Sequence, residues 1–158
     1  MRNLGKLTSI KEVENLKLET RAALTGKGGR LGFSQLVNNL QGWGGKDGFE
    51  IKTDKHTWLI LIDNGQSCCE DWGYIVSNDH FKKFLGKEVI SVKLTDKALN
   101  TKMVEKEKEI YEGGIQFVDF NFSDGDSLQF AVYNSHNGYY GHDIVVARDK
   151  KVILDEVL

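Results

Sequence analysis

The first part of the chain has apolar residues at helical spacing. Ile10, Val13, Leu16 and Ala23, with Leu24, would lie roughly on one face of a helix, and Ser9-Ile10-Lys11-Glu12 matches a capping box, in which two side chains satisfy free backbone N–H groups. The pattern predicts a helix over about residues 10–24 that ends at Gly26. A second, short helix is predicted over residues 34–40.

From Phe49 onward the hydrophobic period changes to two, which is the period of a half-buried strand. Residues 58–62 are apolar throughout, as expected for a central strand that is covered on both faces. A short helix is predicted over residues 78–86, because Asn78 can cap it and Gly86 can end it. Further strands are predicted over residues 49–53, 66–77, 87–94, 115–122, 128–133, 144–147 and 152–158.

The Asn64-Gly65 pair is the strongest turn signal in the chain. Asn-Gly between two apolar runs is typical of a tight hairpin, because both central residues of that turn need positive φ. We therefore expect a central hairpin with Cys68-Cys69-Glu70 on its second strand. A second hairpin turn is predicted over residues 123–126.

Together these elements predict an α+β fold: an N-terminal helical segment, then a mostly antiparallel meandering sheet with one short inserted helix. Residues 1–47 would form the helical segment with a glycine-rich loop, and residues 48–158 the sheet core. A length of 158 residues suits one compact domain. The chain has 17 glycines and no proline, so its turns must depend on Gly, Asn and Asp.

The charge balance narrows the function classes. The formal net charge is −2, which argues against a dedicated nucleic-acid binder, and we expect no direct sequence-specific nucleic-acid binding. No apolar run approaches 18 residues and the first residues lack the apolar core of a signal peptide. We therefore expect no membrane association and a cytoplasmic location.

The cysteines are the first candidates for chemistry. Cys68 and Cys69 are adjacent, so we expect reduced thiols, and on a strand they would point to opposite faces and chelate one ion poorly. The sequence predicts no metal site and no cofactor. A thiol nucleophile could pair with His136 or His142, with Glu70 as the orienting group. The alternative is a purely structural role for Cys68, Cys69, Glu70 and Trp72, and we assign no catalytic residue.

Three regions are candidates for binding. Trp43 lies among glycines and could be a buried anchor or an exposed aromatic contact. The charged stretch from Lys102 to Glu109 has the composition of a solvated helix or a protruding arm. The loop from Ser135 to His142 combines aromatic and adaptable polar groups. The residues predicted to bind are Trp43, Lys102, Glu105, Lys106, Lys108, His136, Asn137, Tyr139 and Tyr140.

Cys68-Cys69-Glu70, a short helix, a variable charged segment and then Asn137-Gly138-Tyr139-Tyr140 follow one another in this chain. This order resembles a small uncharacterised domain family found in phages, prophages and bacteria. The resemblance covers about residues 48–148 and leaves residues 1–47 largely outside. It implies a phage or mobile-element setting, and it brings no established activity.

With this setting and no catalytic set, the favoured function is a non-enzymatic counter-defence protein. It would bind and inhibit a host immune protein in the bacterial cytoplasm, with a CRISPR-type nuclease as the favoured target. One alternative is a small-molecule binder that sequesters a nucleotide immune signal, with phosphate contacts from Lys27 and Arg30. The other is an enzyme that depends on Cys68 or Cys69.

Overall fold

The chain folds into two antiparallel β-sheets that pack face to face. The computed structural model describes residues 2–16, 45–65, 71–102, 114–135, 141–149 and 151–158. In chain order, the strands in these ranges are β1 (Leu7–Leu16), β2 (Lys46–Thr53), β3 (Thr57–Asp63), β4 (Asp71–Val76), β5 (Val89–Thr95), β6 (Gly114–Phe122), β7 (Ser127–Ser135), β8 (Asp143–Arg148) and β9 (Lys151–Val157).

One sheet has five strands in the order β1-β2-β3-β8-β9, and the other has four in the order β4-β7-β6-β5. Every strand pair in both sheets is antiparallel. The α+β prediction is therefore wrong, and so is the single meandering sheet. The chain forms a β-sandwich, in which two connections carry it from one sheet to the other: β3 to β4 and β7 to β8.

The predicted N-terminal helix is replaced by β1, an edge strand of the five-stranded sheet. Two β-bulges explain the misleading pattern. One extra residue at Thr8 puts Leu7 and Ile10 on the inner face, although they are three residues apart. A second bulge between Val13 and Leu16 puts both of these side chains on the outer face. A strand with two bulges thus reproduces the three-residue spacing of a helix.

Two other predictions around the centre of the chain need correction. Asn64-Gly65 does not make a hairpin, because β3 pairs with β2 and β8 while β4 pairs with β7 in the other sheet. The inserted helix over residues 78–86 is only a 3₁₀ turn, Phe81–Phe84. The helix predicted over residues 34–40 lies outside the described residues.

The positions of the period-two strands were predicted well. Each of the eight segments for which a strand was predicted from Phe49 onward corresponds to one of β2 to β9. The turn predicted over residues 123–126 joins the paired strands β6 and β7. The central strand β3 is buried on both faces, since Ile60 packs in the core between the sheets while Leu61 packs with Val145 on the outer face.

Aromatic side chains from both sheets meet in the core. Phe49 on β2 makes edge-on contacts with Tyr74 at 5.2 Å and Phe130 at 4.9 Å between ring centroids. Trp58 on β3 contacts Phe120 on β6 at 5.3 Å. Each such pair is worth about 0.5–1.5 kcal/mol beyond its buried area, so these contacts fix how the sheets face each other.

Candidate functional site

Three connections of the fold, β1 to β2, β3 to β4 and β7 to β8, start and finish at one end of the sandwich, which we call the loop end. In the five-stranded sheet, Leu16 at the end of β1 lies opposite Lys46, and Lys46 lies opposite Asp63 at the end of β3. In the four-stranded sheet, Asp71 at the start of β4 lies opposite Ser135 at the end of β7. The opposite end, with the short turns after β2, β6 and β8 and the connection from β4 to β5 over residues 77–88, is the turn end.

Segments 17–44, 66–70 and 136–140 lie outside the described residues, but the residues on both sides of each are at the loop end. Segment 103–113 rejoins the described chain there as well, at Gly114, which lies opposite Asn134. The register of the strands therefore attaches segments 17–44, 66–70 and 136–140 to one end of the molecule, and segment 103–113 rejoins the described chain at the same end.

Asp47 connects the two segments of this end that start from β1 and β3. Its Oδ1 accepts a hydrogen bond from the backbone N–H of Asn15 at 2.8 Å and another from Nδ2 of Asn64 at 2.9 Å. Asn15 has a positive φ of 54°, and the backbone N–H of Asn64 donates to the carbonyl of Gly45 at 3.1 Å. Asp47 thus fixes the points from which segments 17–44 and 66–70 leave the sandwich.

His142 lies under the loop end and is 3% exposed. Its Nδ1 is 2.6 Å from the carbonyl oxygen of Asp63. A carbonyl oxygen only accepts, so Nδ1 carries the proton and donates it to Asp63. The ring stacks on Trp72 with 5.6 Å between centroids. His142 therefore joins both connections that cross between the sheets, since Asp63 and Trp72 flank the first and His142 precedes β8 after the second.

Two further polar contacts are buried at this end. The Nζ of Lys46, with its side chain 4% exposed, lies 3.9 Å from Oδ2 of Asp143. Asn134 on β7 is fully buried and donates from Nδ2 to the carbonyl of Leu158 at 2.9 Å, which links the two sheets. These two contacts tie strands of the loop end together through polar groups that are shielded from water.

The charged segment begins elsewhere, on the outer face of the four-stranded sheet. Gln129 on β7 is 2% exposed and anchors it: Nε2 donates to the carbonyl of Lys97 at 2.8 Å and to Oδ1 of Asp119 at 2.6 Å, while Oε1 accepts from the N–H of Leu99 at 2.9 Å. Nδ2 of Asn100 donates to the carbonyl of Ser77 at 3.1 Å. Residues 97–100 are thus held against the sheet just before the charged stretch.

Two of the predicted site residues are within the described ranges. Lys102 is exposed and is the last described residue before segment 103–113. Trp72 is half-buried and packs against the core as well as on His142. The others lie outside the described residues: Trp43, Cys68, Cys69, Glu70, Glu105, Lys106, Lys108, His136, Asn137, Tyr139 and Tyr140.

Several residues that shape the loop end were not found from the sequence. Lys46 and Asp47 were counted with the glycine-rich loop, whereas they are the first residues of β2. Gln129, which holds the start of the charged segment on the outer face of the four-stranded sheet, was not identified from the sequence either. A polar residue within a strongly apolar run such as Leu128 to Tyr133 is the signal that could have revealed it, because buried polar groups need partners.

The described ranges contain no group of three or more His, Cys, Asp and Glu side chains that could hold a metal ion. Among these residues, no helix has the length and apolar character needed to cross a membrane.

Comparison with known proteins identifies the family of the chain. Neither a search of curated proteins nor a search of solved structures finds a match to this chain. One family model, described as a domain of unknown function (DUF7448), matches residues 7–146. The match begins at the start of β1 and so includes most of residues 1–47, which the resemblance of the Cys68-Cys69-Glu70 and Asn137-Gly138-Tyr139-Tyr140 motifs leaves largely outside. The chain therefore belongs to the DUF7448 family of domains of unknown function.

Proposed function

We propose that this domain is a non-catalytic binding protein that uses the loop end of the sandwich to bind another protein. The observation that carries the proposal is the register of the strands, which attaches segments 17–44, 66–70 and 136–140 to the same end. Segment 103–113 returns there too. All but one of the residues predicted to bind fall in these four segments, and the exception, Lys102, directly precedes the last of them.

The scaffold supports this use of the loops. Binding residues are often on loops that a rigid framework positions, as in sandwich domains whose recognition loops cluster at one end. Here Asp47, His142 and Asn134 hold the attachment points through hydrogen bonds of 2.6–2.9 Å. A base of this rigidity lowers the entropy cost of presenting several loops together.

The partner we propose is a host immune protein, and the favoured target is a CRISPR-type nuclease. This part rests on the resemblance of Cys68-Cys69-Glu70 and Asn137-Gly138-Tyr139-Tyr140 to a family found in phages and prophages. A phage protein without chemistry of its own acts by occupying a surface of its target. Tyr139, Tyr140 and Trp43 supply the aromatic side chains that dominate the binding energy at such interfaces.

The test is inhibition of a CRISPR nuclease in bacteria that express the tagged chain. We expect reduced interference against a targeted plasmid and co-purification of the nuclease in a stoichiometric complex. A loop-end variant, Trp43→Ala with Tyr139→Ala and Tyr140→Ala, should lose both effects. The matched control alters three exposed residues at the turn end, Lys82→Ala, Lys83→Ala and Leu85→Ala, and should keep both.

Thermal unfolding of both variants checks that each remains folded. A complex that the turn-end variant loses and the loop-end variant keeps would contradict the proposed surface. Recovery of a different stoichiometric partner, lost only by the loop-end variant, would keep the binding role and remove the nuclease as its target. If the folded wild-type chain binds no host protein, the proposed function is wrong.

A further inference from the structure

An apolar groove opens at the side of the sandwich, between the edge strands β5 and β9. Its floor is the core itself, where Trp58, Val118 and Val146 are at most 1% exposed. Its cavity has a volume of about 70 Å³. This is about half the volume of an apolar cavity that takes up benzene, so it can hold the end of an alkyl chain but not an aromatic ring.

The walls of the groove are apolar side chains that the fold leaves in contact with solvent. On β5, Val92 and Leu94 face inward, and Leu94 is 39% exposed. On β9, Ile153 is the extra residue of a β-bulge, because Val146 pairs with Leu154 and the next partner is Val152. The bulge lets Ile153 line the groove while it is 48% exposed. Such walls extend the apolar surface beyond the small cavity.

Within the described part of the chain, Arg148 is the only charged residue that lines this groove. Val146 packs in the core and Ala147 on the outer face, so strand alternation turns Arg148 inward. The side chain is half-buried, and its positive charge acts on the neighbouring Asp149 carboxylate, which is itself half-exposed. An inward-facing guanidinium beside apolar walls is complementary to an anionic group attached to an apolar chain.

We propose that this groove binds a small carboxylate with a short alkyl chain, whose carboxylate pairs with Arg148 and whose chain lies between Leu94 and Ile153. Arg148 presents a planar fork of donors that matches both oxygens of a carboxylate. The chain end occupies the cavity over Trp58. The site is separate from the loop end, because Trp58 and Arg148 lie at the ends of β3 and β8 that adjoin the turn end.

Titration of the ¹⁵N-labelled chain with butanoate, hexanoate and octanoate, followed by NMR, tests the proposal. We expect saturable shifts at backbone amides of β5, β8 and β9, and an affinity that rises about fourfold per methylene until the groove is full. Hexanol, which has the chain without the charge, should bind at least about tenfold more weakly than hexanoate because it cannot pair with Arg148.

Two variants, Arg148→Gln and Leu94→Gln, locate the site, and Lys93→Gln is the control. Arg148→Gln should remove the preference for hexanoate over hexanol, whereas Lys93→Gln, on the opposite face of β5, should leave it unchanged. Leu94→Gln should weaken both probes, and its partial exposure lets the fold tolerate the change.

Shifts that do not saturate, or that spread over the whole surface, would overturn the proposal. Equal hexanoate affinity in the wild type and Arg148→Gln would also overturn it. In that case a loss of solubility in Arg148→Gln would assign Arg148 the role of protecting the edge strands from aggregation.

Discussion

Nδ1 of His142 donates a hydrogen bond to the carbonyl oxygen of Asp63 over 2.6 Å. The two residues are 79 positions apart in sequence. Asp63 ends β3 just before the first crossing between the sheets, and His142 precedes β8 at the end of the second crossing. This single bond therefore couples the two connections that make the fold a sandwich, and it lies at the loop end.

We expect His142→Ala to destabilise the protein by about 1–3 kcal/mol, because the Asp63 carbonyl loses its partner in a buried setting. The stacking on Trp72 is lost as well. Urea unfolding measures the effect, and amide exchange should rise at residues 63–65 and 141–143 before it rises elsewhere. His80→Ala is the matched control, since His80 is exposed and its variant should unfold like the wild type. Equal stability of all three proteins would show that the bond does not hold the crossings together.

Gln129→Leu should release the start of the charged segment from the four-stranded sheet. The change keeps the volume of the side chain but removes the hydrogen bonds to Lys97, Leu99 and Asp119. We expect a loss of about 1–3 kcal/mol in the free energy of unfolding, and faster amide exchange at residue 99. Thr8→Val is a suitable control, because it removes one exposed hydrogen bond on the other sheet. Unchanged exchange at residue 99 would contradict the anchoring role.

Gly48→Ala should be among the most damaging single changes in the chain. Gly48 has a φ of 152°, and a Cβ there would lie 1.9 Å from the carbonyl oxygen of Ile60 in the neighbouring strand. We expect a loss of at least about 3 kcal/mol, measured by urea unfolding. Gly125→Ala is the control: its φ of 89° is also unfavourable for alanine, but no atom lies within 4 Å. That variant should lose only about 1–2 kcal/mol, from backbone strain alone. Similar losses in both would show that β2 can shift to make room.

The sequence was sufficient to locate strands but not to assign them to sheets. Alternation placed β2, β5 and β6 because each has one face in the core, and a continuous apolar run placed β3; both patterns are local properties of the sequence. The sequence pattern failed for β1, where the bulges at Thr8 and after Val13 imitate a helix. It also failed at Asn64-Gly65, because the turn signal describes a few residues while the sheet that the next strand joins depends on contacts far away in sequence.

The candidate site, like the fold, could be predicted from the sequence only in part. Trp43 and the residues around Tyr139 could be selected by residue type alone. It could not be predicted that the segments carrying them attach to one end of the molecule, because this follows from the pairing of Leu16 with Lys46 and of Asp71 with Ser135. Arg148 was equally hidden: only the structure shows that its position on β8 faces inward.

The last prediction concerns the stability of the fold at acidic pH and the carboxylate of Asp149. Partial burial alone would raise the pKa of Asp149, but the hydrogen bond from the Thr57 N–H, the one from His56, and the charges of His56 and Arg148 together lower that pKa below its usual value of 3.8. Because the folded pKa is the lower one, the carboxylate stabilises the fold above about pH 4 and this contribution disappears as the pH falls through the folded pKa.

We therefore expect Asp149→Asn to be less stable than the wild type at pH 7 by less than about 1 kcal/mol, since half of the Asp149 side chain is exposed. The difference should shrink as urea unfolding is repeated at successively lower pH below about 4, because the wild type then loses the charge that the variant lacks. Asp96→Asn, a change at another exposed carboxylate, is the matched control for the loss of one negative charge. A gap between wild type and Asp149→Asn that widens with acid would mean that Asp149 is stabilised as the neutral acid, the opposite of what its contacts with Thr57 and His56 require.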